Sequence, residues 1–268
     1  MPFAPQPPAD PFAPAAEPLL ARDWIAGLEK GLALMQAFDE AHPRLTASQA
    51  GQRCGMTRTV ARRLLLTLRH LGFVASDGKL YWLTPRVLRL GQGYFESSRL
   101  ARAVQPFLRR ITSATGEAAY LWVLDGDEVV AIARNGPWPA LGVGYLPGAR
   151  APARLGAAGQ VLLAAQAPPL LDAWLTRAEA VAASQRPPGA ANRLRQSLAG
   201  VRAQGWALTE AGPPTGQRSV AVPLIDLHGQ VAGALEVSPA TPGESAAEAL
   251  ARLLPPLQAT ARAARLVL

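Results

Sequence analysis

Cysteine is nearly absent from this chain. Cys54 is the one thiol among 268 residues, which excludes a disulfide framework and a cysteine-ligated zinc site and fits a reducing cytoplasm. Histidine is almost as scarce: His42, His70 and His228 are scattered, with no H-x-x-x-H or H-E-x-x-H spacing, so neither a metal site nor any other cofactor is expected. Lysine is reduced to Lys30 and Lys79, leaving arginine to carry the positive charge. No apolar run reaches the roughly 18 residues that a membrane helix needs. The N-terminus lacks the basic region and apolar core of a signal peptide, so the sequence reads as cytoplasmic, with no membrane partner.

Enzymatic signatures are missing as well. There is no G-x-S-x-G elbow, no phosphate-binding P-loop and no G-x-G-x-x-G after a strand. Gly142-Val143-Gly144 lacks both the third glycine and a following helix. Asp125, Asp127 and Glu128 cluster at a turn, where a solvated hairpin explains them better than a metal site or an acid–base pair.

What is present is size, apolar content and positive charge. The length suits two compact domains, and 49% hydrophobic residues indicate a folded protein. A net charge of +8, with an isoelectric point near 10.7, favours a polyanionic partner, nucleic acid first and an anionic membrane surface second.

Residues 1–21 form a proline-rich tail, in which missing N–H groups disfavour helix and sheet. From Trp24 the spacing turns helical, with Leu28, Leu32, Met35 and Phe38 on one face up to His42-Pro43. Thr46 and Gln49 form a capping-box pattern for a second helix, ending at Cys54-Gly55. Met56-Thr57 begins a third, with Val60, Leu64, Leu68 and Leu71 as its expected buried stripe and Gly72 as its stop. Phe73–Ala75 and Leu80–Leu83 read as strands around an Asp77-Gly78 turn. Three helices and a hairpin are the layout of a winged helix-turn-helix, assigned to residues 22–84.

Thr84-Pro85 opens a linker helix over 85–98, with Val87, Leu88, Gly91, Tyr94 and Phe95 on its apolar side; such helices often help domains dimerise. Beyond it, residues 99–268 mix both element types. Helices are expected at Leu100–Thr115, Leu155–Ala165, about 170–180, 189–204 and 243–265. Strands are expected at Tyr120–Leu124, Val129–Arg134, Ala207–Glu210, Ser219–Ile225 and Val231–Val237. That order indicates an α+β domain with a largely antiparallel sheet.

The third helix is the most informative segment. Arg58, Thr59, Arg62 and Arg63 lie opposite its apolar stripe. Between positions 44 and 76 there are six arginines and no Asp or Glu. An acid-free basic face on the second helix of a helix-turn-helix suits the DNA major groove, where arginine donates two hydrogen bonds to guanine. Arg44, Arg53 and Thr57 are candidate supporting contacts to double-stranded DNA. Lys79, at the tip of the hairpin, could reach a flanking backbone or minor groove.

The stretches Ala61–Gly72 (ARRLLLTLRHLG) and Leu83–Gly91 (LTPRVLRLG) resemble the DNA-binding domain of the isocitrate-lyase-regulator (IclR) family. Within it, the likeness is to the branch controlling aromatic-acid catabolism through the β-ketoadipate pathway. LDGDEVVAIAR, GAAGQVLLA and RSVAVPLIDLHGQVAGALEVS extend the similarity over about residues 25–265. The resemblance implies a homodimer or homotetramer on a pseudo-palindromic operator. It also implies a GAF-like C-terminal domain for effector binding and oligomerisation, with a small organic acid as effector.

By the same resemblance, Leu155, Gly156 and Ala157 would present a helix N-terminus to the acid. Ser219, Glu236 and Ser238 would line the facing wall. This chain departs from the family in having Ala157-Ala158-Gly159-Gln160 where a Ser or Thr often precedes the glycine. Glu236 would repel an acid unless it is neutralised or turned away. The rival readings are a regulator with a degenerate pocket and no ligand, or a small-molecule-processing enzyme with a DNA-binding head.

Overall fold

The computed structural model describes residues 20–137, 145–182, 190–210, 218–238 and 244–267. The proline-rich tail lies almost entirely outside the described residues. The chain divides into two compact units, with the division between Ser97 and Ser98.

The first unit contains α1 (Ala26–Gln36), α2 (Ala47–Arg53), α3 (Arg58–His70), β1 (Val74–Ser76), β2 (Tyr81–Leu83) and α4 (Leu88–Ser97). Thr46 and Gln49 form the reciprocal capping box that starts α2: Gln49 N–H donates to Thr46 Oγ1, and Thr46 N–H donates to Gln49 Oε1. Gly51 packs so close to the α2–α3 turn that a Cβ there would lie 2.7 Å from the Met56 carbonyl oxygen. β1 and β2 pair antiparallel across the Asp77-Gly78 turn, with Asp77 Oδ1 accepting the N–H groups of Lys79 and Leu80. This is the expected winged helix-turn-helix.

Two details of its core differ from the sequence reading. On α3 the buried row is Ala61, Leu65 and Leu68, while Val60 and Leu64 flank it and Leu71 is exposed. Both rows obey helical spacing. The small Ala61 side chain packs against Gly51 of α2, a close pairing of small residues that turns that row inward. On α1, Leu34 is the fully buried residue, whereas Leu28 and Leu32 face solvent. The helix also ends at Gln36, before the expected His42-Pro43 stop; the chain beyond it is held by Asp39 Oδ1, which accepts the His42 N–H at 2.7 Å.

The second unit comprises α5 (Arg99–Ala103), α6 (Gln105–Thr115), β3 (Ala118–Asp125), β4 (Glu128–Asn135), β5 (Arg150–Pro152) and α7 (Ala157–Ala164). It continues with α8 (Pro168–Ala182), α9 (Ala190–Gln204), β6 (Ala207–Glu210), β7 (Arg218–Ile225), β8 (Val231–Ser238) and α10 (Ala246–Ala264). The expected single helix over Leu100–Thr115 is divided at Val104, where Pro106 starts the new helix without needing an N–H partner. The six strands form one antiparallel sheet in the order β5-β4-β3-β8-β7-β6. β5 escaped the sequence reading because Arg-Ala-Pro is too short to show alternation.

The two sheet faces differ in side-chain volume. Leu121, Ile132, Val220, Val222, Leu224, Leu235 and Val237 fill the face covered by α5, α6 and α10. The other face, under α7, α8 and α9, carries Ala118, Ala131, Ala221 and Ala234 beside Tyr120 and Trp122. Alternation along each strand sends the larger aliphatic groups one way and the alanines the other. A bulge interrupts the alternation on β4: the register with β3 shifts between Leu121 and Trp122, so the consecutive Ile132 and Ala133 both join the aliphatic face. The alanines leave room beneath α7.

Candidate functional site

The first candidate surface is α3. Thr57 caps the helix, its hydroxyl accepting the Val60 N–H at 3.4 Å, so its side chain serves the helix start. Arg58, Thr59, Arg62 and Arg63 are all exposed on one side, and no ion pair engages these arginines among the described residues. Lys79 is exposed at the hairpin turn. Arg44 stacks its guanidinium over the Trp82 ring, 4.4 Å from the centroid, and so belongs to the same edge as the hairpin.

Arg53 is engaged differently. Its Nε donates to the Ala37 carbonyl at 2.9 Å, and its Nη2 meets the Asp39 carboxylate at 2.5 Å. Hydrogen bonding from His42, followed by the Arg53 charge, holds the Asp39 carboxyl below the usual carboxylate range. Arg53 thereby ties α2 to the end of α1.

The second candidate is a cavity of about 230 Å³ under α7. Trp122 of β3 and Tyr145 line it and meet edge to face, with ring centroids 4.9 Å apart. Leu155, Gly156, Ala158 and Gly159 form the side nearest the α7 N-terminus, and Thr209, Ser219, Glu236 and Ser238 supply polar groups from β6, β7 and β8. Of the residues expected from the sequence, Leu155, Gly156, Ser219, Glu236 and Ser238 therefore come together. Ala157 is wholly buried and outside the lining; Ala158, one residue on, takes its place.

α7 seats itself by way of Gly159. A Cβ at this position would lie 1.9 Å from the Ala153 carbonyl oxygen, so only glycine lets the helix lie against the chain leaving β5. The Gly156 side of the helix has no side-chain cap of its own. Glu236 supplies one from across the domain: Ala158 N–H donates to Glu236 Oε2 at 3.0 Å. Ser238 Oγ donates to Glu236 Oε1 at 3.1 Å, and Ser219 Oγ lies 3.0 Å from Ser238 Oγ. Glu236 is only 4% exposed, and burial pushes its carboxyl above the usual glutamate range despite these hydrogen bonds. The same burial, with Glu236 nearby, raises the Tyr145 hydroxyl. Glu236 thus points into the site.

Trp122, Tyr145 and Thr209 were not singled out from the sequence. Trp122 sits two residues after Tyr120 on the same strand face, but its neighbours arrive through sheet order, which no local pattern reveals. The indole Nε1 of Trp122 has no hydrogen-bond partner among the described residues. The acids of the β3–β4 turn are committed elsewhere: Arg150 bridges Asp125 and Glu128, each at 2.6 Å, and Arg177 meets Asp127 at 2.8 Å. Among the described residues no group of acids, histidines and cysteine could hold a metal ion, and no helix is long and apolar enough to cross a membrane.

Comparison with known proteins gives these two regions a common setting. Residues 27–78 match the IclR helix-turn-helix domain, and residues 92–265 match the bacterial transcriptional regulator IclR C-terminal domain. The chain belongs to the IclR family. Among its curated relatives, the Pca regulon regulatory protein of Pseudomonas putida is 39% identical over 241 residues, covering 90% of this chain and 83% of that one. The p-hydroxybenzoate hydroxylase transcriptional activator of Acinetobacter baylyi is 31% identical over 265 residues, covering 94% of each. A crystal structure of a transcriptional regulator from Rhodococcus sp. RHA1 superposes with a TM-score of 0.74 at 33% identity, covering 91% of this chain and 98% of that one. This IclR regulator therefore carries a DNA-binding head and the family's C-terminal domain.

Proposed function

We propose that this protein is a homodimeric regulator whose C-terminal cavity binds an aromatic carboxylic acid and so changes its affinity for an operator. One observation carries the reading: an apolar, aromatic-walled cavity ends in a row of hydroxyl and backbone N–H groups. The volume, about 230 Å³, falls just under the usual range of roughly 300–1,000 Å³ for small-molecule pockets and suits a single ring. Trp122 and Tyr145 offer the ring an edge-to-face contact. Thr209, Ser219 and the α7 N-terminus offer hydrogen bonds to its substituents. The names of the relatives in the Pca and p-hydroxybenzoate systems point the same way.

Arg58, Thr59, Arg62 and Arg63 would enter the major groove, with Arg44 and Lys79 on the adjoining backbone. Trp24, Ile25, Leu28 and Leu32 on or before α1, and Leu88 and Tyr94 on α4, expose apolar surface that a second copy of the chain would cover. As a regulator acting on DNA, it would work in the cytoplasm. An effector acts here only through unequal affinity for the DNA-competent and DNA-incompetent arrangements.

A salt-controlled gel shift on the protein's own upstream promoter, against scrambled DNA, tests the first half. Titration with 4-hydroxybenzoate, 3,4-dihydroxybenzoate and adipate then tests the second. Selective binding altered by a ring acid, and not by adipate, is the expected result. A second reading, regulation without any effector, draws on Glu236 already holding the Ala158 N–H that an acid would use. It predicts no saturable change with any acid.

A further inference from the structure

The cavity holds a carboxyl group at the place where an acid effector has to be received. No lysine, arginine or histidine lines the cavity among the described residues. On β3 the residue opposite Glu236 is Tyr120; the Arg134 guanidinium lies 5.8 Å from that ring's centroid and donates to the Gly136 and Pro137 carbonyls. On β7 the opposite residue is Ala221, and α7 contributes the Ala158 N–H. Tyr145, on the far wall, adds only a neutral phenol. The α7 N-terminus offers its partial positive charge to one carboxylate, and among the described residues no cationic side chain lines the cavity to offset a second.

We propose that an acid enters this pocket together with one proton, which resides on Glu236. The inference rests on the acid-sensing reading above. The hydroxyl chain Glu236–Ser238–Ser219 gives the proton a second consequence. With Glu236 ionised, Ser238 Oγ–H points at its carboxylate and Ser219 Oγ–H is drawn toward Ser238. With Glu236 protonated, the carboxyl O–H donates to Ser238 and Ser238 donates to Ser219. The Ser219 hydroxyl proton is then released toward the cavity, where it can meet the effector's carboxylate. One proton therefore removes the repelling charge and supplies a donor, so Glu236 and Ser219 together read the anionic end of the ligand.

The test is calorimetric titration of the full-length protein with 4-hydroxybenzoate from about pH 5.5 to about pH 8.5, a range in which a benzoate-type carboxylate stays ionised. Repeating it at about pH 8 in buffers of different ionisation enthalpy counts the protons taken up. Wild type should weaken toward about tenfold per pH unit at the alkaline end, with close to one proton absorbed per ligand. Glu236→Gln, which keeps the acceptor for Ala158, should bind with no pH slope and more tightly than wild type at pH 8. Ser219→Ala should lose affinity by a similar factor at every pH and keep the wild-type pH slope, because Glu236 is protonated in the complex throughout. A flat wild-type profile without proton uptake, or an unchanged slope in Glu236→Gln, overturns the proposal while leaving acid sensing intact. Failure of every ring acid to bind at any pH overturns both.

Discussion

Glu236 on β8 caps α7 through the backbone N–H of Ala158, 3.0 Å away and 78 residues earlier in the chain. The bond couples the polar end of the cavity to the helix that covers it. Its stability consequence depends on pH. Burial raises the folded-state Glu236 carboxyl above its ordinary value of 4.5, so the native state binds this proton more tightly than the unfolded state. The contribution is fully present below about pH 4.5 and is lost as pH rises through the folded value. Glu236→Gln should match wild type in thermal midpoint at acid pH and exceed it at alkaline pH. Glu236→Ala should instead lose about 1–3 kcal/mol at acid pH, because the Ala158 N–H is left buried without a partner. Thermal denaturation of the three proteins at two pH values checks both statements.

Gly159 fixes the height of α7 above the sheet. An added methyl would meet the Ala153 carbonyl carbon at 2.5 Å and its oxygen at 1.9 Å, and both are backbone atoms that cannot rotate aside. Gly159→Ala should destabilise the C-terminal unit by about 1–3 kcal/mol or more, as overpacking of a tight interior does. It should also abolish effector binding, since α7 would have to lift from the cavity. Calorimetric unfolding, with ligand titration below the new midpoint, measures the two effects separately. Glycine's usual penalty inside a helix makes this sign informative: at a roomy site the same substitution would stabilise.

The parts of the molecule that could be read from sequence are those whose signals are local. Asp77-Gly78 and Asp125-Gly126 marked two hairpins, and Thr46 with Gln49 marked a helix start, because each device acts within a few residues. Which apolar row of α3 turns inward was not local, since Ala61 gains its place from what α1 and α2 bring against it. The cavity divides in the same way. Ser219, Glu236 and Ser238 followed from family likeness, and Glu236 was visible as an electrostatic conflict. Trp122 and Thr209 join them only because β3, β8, β7 and β6 are neighbours in that order. The terms of the conflict at Glu236, a buried carboxyl capping α7 and bonded to a serine pair, needed coordinates.

The capping box on α2 offers a test confined to the DNA-binding unit. Thr46 and Gln49 satisfy each other's backbone N–H groups at the helix start. Thr46→Ala removes the hydroxyl acceptor and should cost about 1 kcal/mol. DNA affinity at a temperature well below the midpoint should stay close to wild type, because the α3 face is untouched. Denaturant unfolding paired with a gel shift makes the comparison.

Arginines on the helix-turn-helix should separate into two classes. Arg62 is exposed on the α3 face, so Arg62→Ala should leave stability within about 0.5 kcal/mol of wild type. If its guanidinium pairs with a base, operator binding weakens by about 1–3 kcal/mol and discrimination falls at one base pair. If it holds a phosphate, the loss is equal on every sequence and the salt slope drops by about one. Arg53 behaves otherwise, since its guanidinium is spent on the Ala37 carbonyl and the Asp39 carboxylate at the end of α1. Arg53→Ala should lower the thermal midpoint, with an energetic cost of about 1 kcal/mol for the lost carbonyl bond. Its effect on DNA should scale with that instability and not with the salt concentration. A salt titration of operator binding for both variants, set beside their melting curves, distinguishes them. An Arg53 variant that melts like wild type yet loses operator affinity would move Arg53 into the DNA interface.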